Sequence, residues 1–259
     1  MGKTIIHCVR HAQGFHNLNV ANHVLPDPSL TPLGESQCRA LSSVFAASFS
    51  SPPKITHLVA SPMRRTLYTA LLSFPEQIKA GLKVIALPEI QETSDLPCDT
   101  GSAPEKLRRE FSEGMYEGKV DLSLVHEGWN SNTGRWSPAS HAIEARARDA
   151  RVFLLNLSKE NNEKGEDREI VVVTHGGYLH YFTEDWDDYG KFTGTGWANT
   201  EFRSYELSLE AKMIETRESR ERRKGGETPL TEDEQRELRA SAEREGAKQG
   251  FVGGGEAKL

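Results

Sequence analysis

Four short runs of β-branched and aliphatic residues dominate the pattern of this chain: Thr4 to Val9, Ile55 to Ala60, Val84 to Leu87 and Ile170 to Thr174. They are too short for buried helices and are bounded by polar or turn residues, which marks them as strands. Helical patterns lie between them, and that alternation is the sequence form of βαβ units around a mostly parallel sheet. Each run passes straight into polar residues suited to phosphate chemistry: Arg10-His11, Ser61 to Arg65, Glu89 to Glu92, and His175-Gly176-Gly177. Parallel strands bring all four clusters to one carboxyl edge, where open α/β folds place their ligands. The expected fold is therefore α/β, a three-layer α/β/α sandwich with a mostly parallel central sheet. A fifth run, Phe202 to Leu209, alternates less cleanly and reads as an edge strand.

Thr31-Pro32 supplies a cap followed by proline at the first helical position. The helix it opens is expected to reach about Phe49, with Leu33, Leu41, Val44 and Phe45 facing inward. Ser61-Pro62 repeats the start signal, and Pro75 is expected to end that helix. Ile143, Ala147, Ala150, Leu154 and Leu157 recur on one face of a long helix ahead of the fourth strand. Between about 93 and 138 the chain is rich in glycine and proline with little periodicity, so it is read as an irregular insertion roofing a site, with a short helix at Pro104 to Phe111.

At 259 residues the chain accommodates one full-sized domain, expected over 1–210, and a tail over 211–259. That tail holds eleven basic and eleven acidic residues. It is expected to be largely disordered or loosely helical, although Thr231 to Glu234 has the form of a capping box. A formal net charge of -6 argues against a nucleic-acid partner or an anionic membrane surface. Cys8, Cys38 and Cys98 are too few and too scattered for a disulfide framework or a cysteine zinc site, which points to a reducing, cytoplasmic setting. No His-x-x-x-His pair with carboxylates suggests a metal. No signal peptide or membrane span is expected. Ala257-Lys258-Leu259 leaves a peroxisomal address as the alternative location.

Four motifs then appear in order. They are Val9-Arg10-His11-Ala12-Gln13-Gly14 with Asn17; Leu30-Thr31-Pro32-Leu33-Gly34-Glu35; Ser61-Pro62-Met63-Arg64-Arg65-Thr66; and Thr174-His175-Gly176-Gly177. Together they resemble the histidine phosphatase superfamily, phosphoglycerate-mutase-like, in its branch 1, over roughly residues 4–209. Ala12 departs from the glycine more usual after Arg-His. The resemblance implies a phosphatase-type member that is independent of metal and cofactor, hydrolysing a small phosphorylated metabolite through a phosphohistidine on His11.

In that reading Arg10 and Arg65 grip phosphoryl oxygens as rigid forks, and His175 donates a further hydrogen bond. A general acid is needed because an alkoxide leaves poorly unless protonated. The family places a glutamate after the third strand. Glu92 fits its spacing better, and Glu89 remains the alternative. Softer substrate-binding candidates are Gly14, Phe15, His16 and Asn17 after the nucleophile, and Gly176 and Tyr178 after the fourth strand. The competing readings are a phosphoglycerate-type mutase and a catalytically silent relative that binds a phospholigand. Against the mutase, Thr93-Ser94-Asp95-Leu96-Pro97-Cys98 replaces the Arg and Tyr-Gly pattern usual after the glutamate. The sequence leaves the substrate and the oligomeric state open.

Overall fold

The computed structural model describes residues 2–192, 195–226 and 228–249. Its strands are β1 (Thr4–Arg10), β2 (Ile55–Ala60), β3 (Val84–Ala86), β4 (Val120–Asp121), β5 (Arg168–Thr174), β6 (Phe202–Leu207) and β7 (Met213–Glu215). Its helices are α1 (Pro32–Ala47), α2 (Arg64–Ser73), α3 (Pro75–Lys79), α4 (Pro104–Phe111), α5 (Ser140–Lys159), α6 (Gly176–Thr183), α7 (Arg217–Arg222) and α8 (Glu232–Gln249). The strands form one sheet in the order β4-β3-β2-β5-β1-β6-β7. From β4 to β1 every pairing is parallel, and β6 and β7 add an antiparallel hairpin beyond β1.

Alternation along the strands divides the core between the two faces of the sheet. Ile6, Cys8, Val59, Ile170 and Val172 pack with Ile143, Ala147, Ala150 and Leu154 of α5 and with Leu179 and Phe182 of α6. Val9, Leu58, Ala60, Val171 and Val173 point the other way, against Leu41 and Phe45 of α1 and Leu67 and Leu71 of α2. Helices on both faces of a mostly parallel sheet make the expected three layers. The near-continuous apolar reading of β5 follows, since a central parallel strand is covered on both sides.

Several expectations need correction. The stripe that α1 buries is Gly34, Cys38, Leu41 and Phe45, while Leu33 and Val44 are exposed. Close approach decides this: a Cβ at Gly34 would run into the Gln13 carbonyl, so the smallest residue, not the most apolar, faces inward at that turn. Pro62 lies ahead of α2, whose first amide, Arg64 N, is capped at 3.0 Å by Asp27 Oδ1 from a distant loop. As expected, α2 stops just before Pro75, with Phe74 out of helical conformation, and Pro75 also opens α3, where its missing N–H is no loss. The roof contains the edge strand β4 as well as α4.

Phe202–Leu207 is an interior strand, because the chain turns at Ser208 to Lys212 and returns as β7. The boundary expected at 210 falls inside a hairpin, and among the described residues after it lie β7 and the helices α7 and α8. The capping box at Thr231 is present: Glu234 Oε2 accepts from Thr231 N at 2.7 Å, and Glu234 N donates to Thr231 Oγ1 at 3.3 Å. Ala257-Lys258-Leu259 lies outside the described residues. No helix among the described residues is long and apolar enough to cross a membrane.

Candidate active site

β1, β2 and β5 end side by side, and His11, Ser61 and His175 are the first residues past their carboxyl ends. His11 N donates to Thr174 O at 2.9 Å and Ser61 N to Val173 O at 3.0 Å, so the loops leave the sheet in register. The rings of His11 and His175 lie 5.3 Å apart, and the His16 ring is also 5.3 Å from His11. All three imidazoles are buried. The loop after His11 is fixed by the second motif: Gln13 N donates to Gln37 Oε1 at 2.8 Å, and Thr31 Oγ1 donates to Gln13 Oε1 at 2.8 Å.

Hydrogen bonding sets the tautomers. His11 Nδ1 faces the Ala12 carbonyl at 2.8 Å and must donate to it, which leaves the Nε2 lone pair free. Burial, then the charges of Arg65, His175, His16 and Arg10, hold the His11 proton affinity well below the ordinary 6.5, so the ring is neutral near pH 7. Arg65 Nη2 donates to His175 Nδ1 at 3.0 Å, which places the His175 proton on Nε2, donated to Ser61 Oγ at 3.0 Å. His175 is likewise held well below 6.5, by burial first and Arg65 second.

Both guanidinium groups are anchored by the protein and only partly used up by it. Arg10 Nη1 donates to Thr195 Oγ1 at 2.9 Å and to the Trp197 carbonyl. Arg65 donates from Nη1 to Cys98 O at 2.6 Å and from Nη2 to Asp99 Oδ1 at 2.9 Å. Burial lowers the Arg10 pKa to about 10, with Glu92 opposing. Among the described residues, Arg10 Nε, Arg65 Nε and His16 Nδ1 are buried with no hydrogen-bond partner. The two Nε–H groups are donors left open, and the charge of the two guanidinium groups favours an anion beside them.

The two glutamates after β3 differ sharply. Glu92 Oε1 accepts from Thr93 N at 2.9 Å and from Tyr178 N, in the first turn of α6, at 3.0 Å. Its pKa is raised above 4.5 by burial and by Asp99, against the pull of Arg65 and Arg10. A Cβ on Gly177 would come within 2.9 Å of that same oxygen, so glycine there leaves the carboxyl room. Glu89 instead pairs with Arg135 at 2.6 Å, on the more exposed side of the segment. Arg146, from α5, clamps the stretch between them by donating to Glu89 O at 2.9 Å and Gln91 O at 3.0 Å.

The softer candidates separate. Tyr178 points into the core, stacked on Phe182 and lying under Arg146, because it falls on the inward face of α6; its backbone amide, not its ring, serves the site. Asn17 Oδ1 closes the turn onto Gly14 N at 3.0 Å. Gly14 bridges to Leu30, and Phe15 is exposed. Gly176 packs against the Thr195 side chain. Arg64 is engaged by Glu110 through Nε at 2.9 Å, in the half-buried rim of α2.

Sequence reasoning missed Ser61 as a partner of His175, Asp99 as the counter-charge of Arg65, and Arg146 as the clamp on the Glu89–Glu92 segment. Ser61 was detectable as the first residue past β2. Asp99 and Arg146 meet their partners only through the fold. Cys98 contributes its carbonyl; its thiol is buried and pushed up to about 12, far from a reactive thiolate. Among the described residues no group of three or more His, Cys, Asp and Glu is arranged to hold a metal ion.

The chain resembles known proteins in sequence and fold. The chain is 27% identical to sedoheptulose 1,7-bisphosphatase of Saccharomyces cerevisiae over 69% of its own length, and spans 65% of that protein. It is 28% identical to a phosphoglycerate mutase-like protein of Arabidopsis thaliana, over 77% of this chain and 82% of the relative. Among solved structures, the ecdysone phosphate phosphatase of Bombix mori, in complex with tungstate, superposes with a TM-score of 0.55 at 14% identity, covering 80% of this chain and 93% of that one. The phosphoglycerate mutase of Bacillus anthracis gives 0.51 at 14% identity, covering 83% and 92%. Both share the fold. The sequence profile of the histidine phosphatase superfamily (branch 1) matches residues 6–218, from the strand that delivers His11 to the helix behind the β6–β7 hairpin, and the chain belongs to that family.

Proposed function

We propose that this protein is a phosphoric monoester hydrolase that removes phosphate from a small phosphorylated substrate through a phosphohistidine on His11. The observation that supports this most is the pair of buried, unpartnered guanidinium nitrogens on Arg10 and Arg65 beside a neutral imidazole with its Nε2 lone pair free. A phosphoryl group in transfer spreads negative charge over three equatorial oxygens, and fixed donors at those oxygens stabilise it without reorganisation.

In the first step His11 Nε2 attacks phosphorus in line, the N–P bond forms, and the P–O bond to the leaving group breaks. Glu92, whose burial and neighbour Asp99 favour its protonated form, delivers a proton to the departing oxygen. In the second step a water attacks phosphorus and gives a proton to the Glu92 carboxylate. The N–P bond breaks, and His11 and inorganic phosphate are released. No step requires a metal or cofactor. Arg10, Arg65 and His175 hold the phosphoryl oxygens throughout, with His16, Asn17 and the Gly14 backbone at the rim.

The substrates to test first are sugar phosphates and bisphosphates, the class named by the yeast relative, beside phosphoglycerates and an aryl phosphate. The proposal predicts phosphate release in the presence of EDTA, with acid quench during turnover of a radiolabelled substrate trapping label on His11. His11→Ala should lose turnover by about 10⁴-fold or more. Label on any other residue would falsify the mechanism. Isomerisation of phosphoglycerate without phosphate release would make the protein a mutase instead.

A further inference from the structure

The segment beyond β7 buries little of its own. On α8, Leu238 is exposed and Ala242 is a rare buried apolar residue, so hydrophobic burial does not account for where this helix lies. Its described contacts with the body are polar, and several converge on the loop after α6. Gln235 Oε1 accepts from Trp186 N at 2.7 Å while Gln235 Nε2 donates to Asp185 Oδ1 at 3.1 Å. Arg239 lies over the ring of Trp186 at 5.9 Å and that of Tyr181 at 5.3 Å. From the end of α7, Arg223 reaches Asp185 at 3.5 Å, Asp187 at 3.0 Å and Asp188 at 3.4 Å, and is itself held by Glu215 of β7 at 2.8 Å.

The other end of the same loop holds Arg10. Thr195 Oγ1 and the Trp197 carbonyl accept from Arg10 Nη1. The His180 ring spans the two ends, lying 2.7 Å from Asp185 O and 2.8 Å from Thr195 O. Arg203 completes the frame by donating to Gly196 O at 2.8 Å and stacking on Trp197 at 4.0 Å. A set of contacts thus runs from Gln235 and Arg223 to Asp185, and from there by Arg203 to Gly196 and by the His180 ring, which as a neutral imidazole donates to one of the two carbonyls it faces, to Thr195 and Arg10. Anchoring Nη1 orients the remaining Nε edge of Arg10, whose nitrogen is buried without a partner.

We propose that α7 and α8 form a brace that positions Arg10 for the phosphoryl group, acting through the Asp185–Trp197 loop, with Gln235 as the positioning residue at its far end. This rests on the reading of Arg10 as a phosphate ligand. Removing one polar contact from the brace leaves Arg10 present but less well fixed, so anion binding weakens more than the chemical step.

The test is a double-mutant cycle on the full chain, using hydrolysis of an aryl phosphate and calorimetric binding of inorganic phosphate. Gln235→Ala should raise KM and the phosphate Kd together, between about threefold and tenfold, with kcat changed by less than about twofold. Thr195→Val, which cuts the link beside Arg10, should do the same. In an Arg10→Ala background the Gln235→Ala change should add nothing, because its only route to the anion has been removed; general loosening would weaken both backgrounds alike. If the wild type binds phosphate but Gln235→Ala leaves KM and Kd unchanged, or its effect persists without Arg10, the brace is overturned while the site reading stands. If the wild type neither binds nor releases phosphate, the site reading fails and the brace falls with it.

Discussion

The strand-end cluster and the C-terminal segment lie in one molecule and are held by different forces. The cluster stands on a sheet buried on both faces, and its ionic groups are fixed by short bonds from residues far apart in sequence. The segment from α7 onward rests on ion pairs and amide contacts with little apolar area beneath it. Burial gives the first region rigidity and the ability to shift proton affinities. The second region has direction without much depth, so its loss should be graded where loss in the first is abrupt.

Arg65→Ala should separate the two regions most strongly. The side chain is fully buried and paired with Asp99, so its removal strands a carboxylate and takes a donor from His175. Breaking a buried pair in this way costs about 3–5 kcal/mol. Denaturant unfolding should show that loss together with abolished phosphate binding, whereas Gln235→Ala should barely move the midpoint. A wild-type midpoint for Arg65→Ala would erase the contrast.

Glu92→Gln comes next. With an alkyl phosphate kcat should fall by about 10²–10⁴-fold, the usual worth of a positioned acid. With an aryl phosphate bearing a good leaving group the loss should be much smaller, because that oxygen departs without a proton. Equal losses on both substrates would remove Glu92 from the acid's role and return attention to Glu89.

The smallest effect is one of pH. His11 and His175 are held well below 6.5 by burial first, and His16 is lowered to about 2, again chiefly by burial. A histidine whose folded value is depressed adds stability that is complete above the unfolded value and is lost as the pH falls below it. Melting temperature should therefore decline from pH 7.5 to 5.5 as the unfolded chain takes up protons that the folded one does not, and inorganic phosphate, by binding the folded state, should raise the melting temperature across that range. A flat profile would mean that these rings do not stay buried and neutral.

Legibility in sequence followed the same division. Arg10, His11 and His175 could be placed at the sheet's carboxyl edge because each stands at or just past the end of a short apolar, β-branched run, and Arg65 because it follows such a run and a proline start signal. The shared direction of four parallel strands could be inferred from the polar clusters that follow them, but not their order in the sheet. What escaped depended on closure of the fold: Asp99 meets Arg65 across the roof, Arg146 reaches the Glu92 segment from α5, and Thr195 receives Arg10 from the opposite end of the chain. The phase of α1 was misjudged because backbone contact with Gln13, not apolarity, chose its buried face. The C-terminal helices were hard to read because the segment has little apolar surface to bury, and its charges meet partners such as Arg223 with Glu215 and Asp187 only through the fold.

The lengths of the outermost strands have a consequence for solubility. One margin of the sheet is the two-residue β4 and the other the three-residue β7, so a stray extended peptide would find few unpaired amides and carbonyls at either margin. Long bare margins are where sheets recruit strangers and begin to aggregate. Here the long, strongly apolar strands are enclosed, and a crowded solution meets only short stubs.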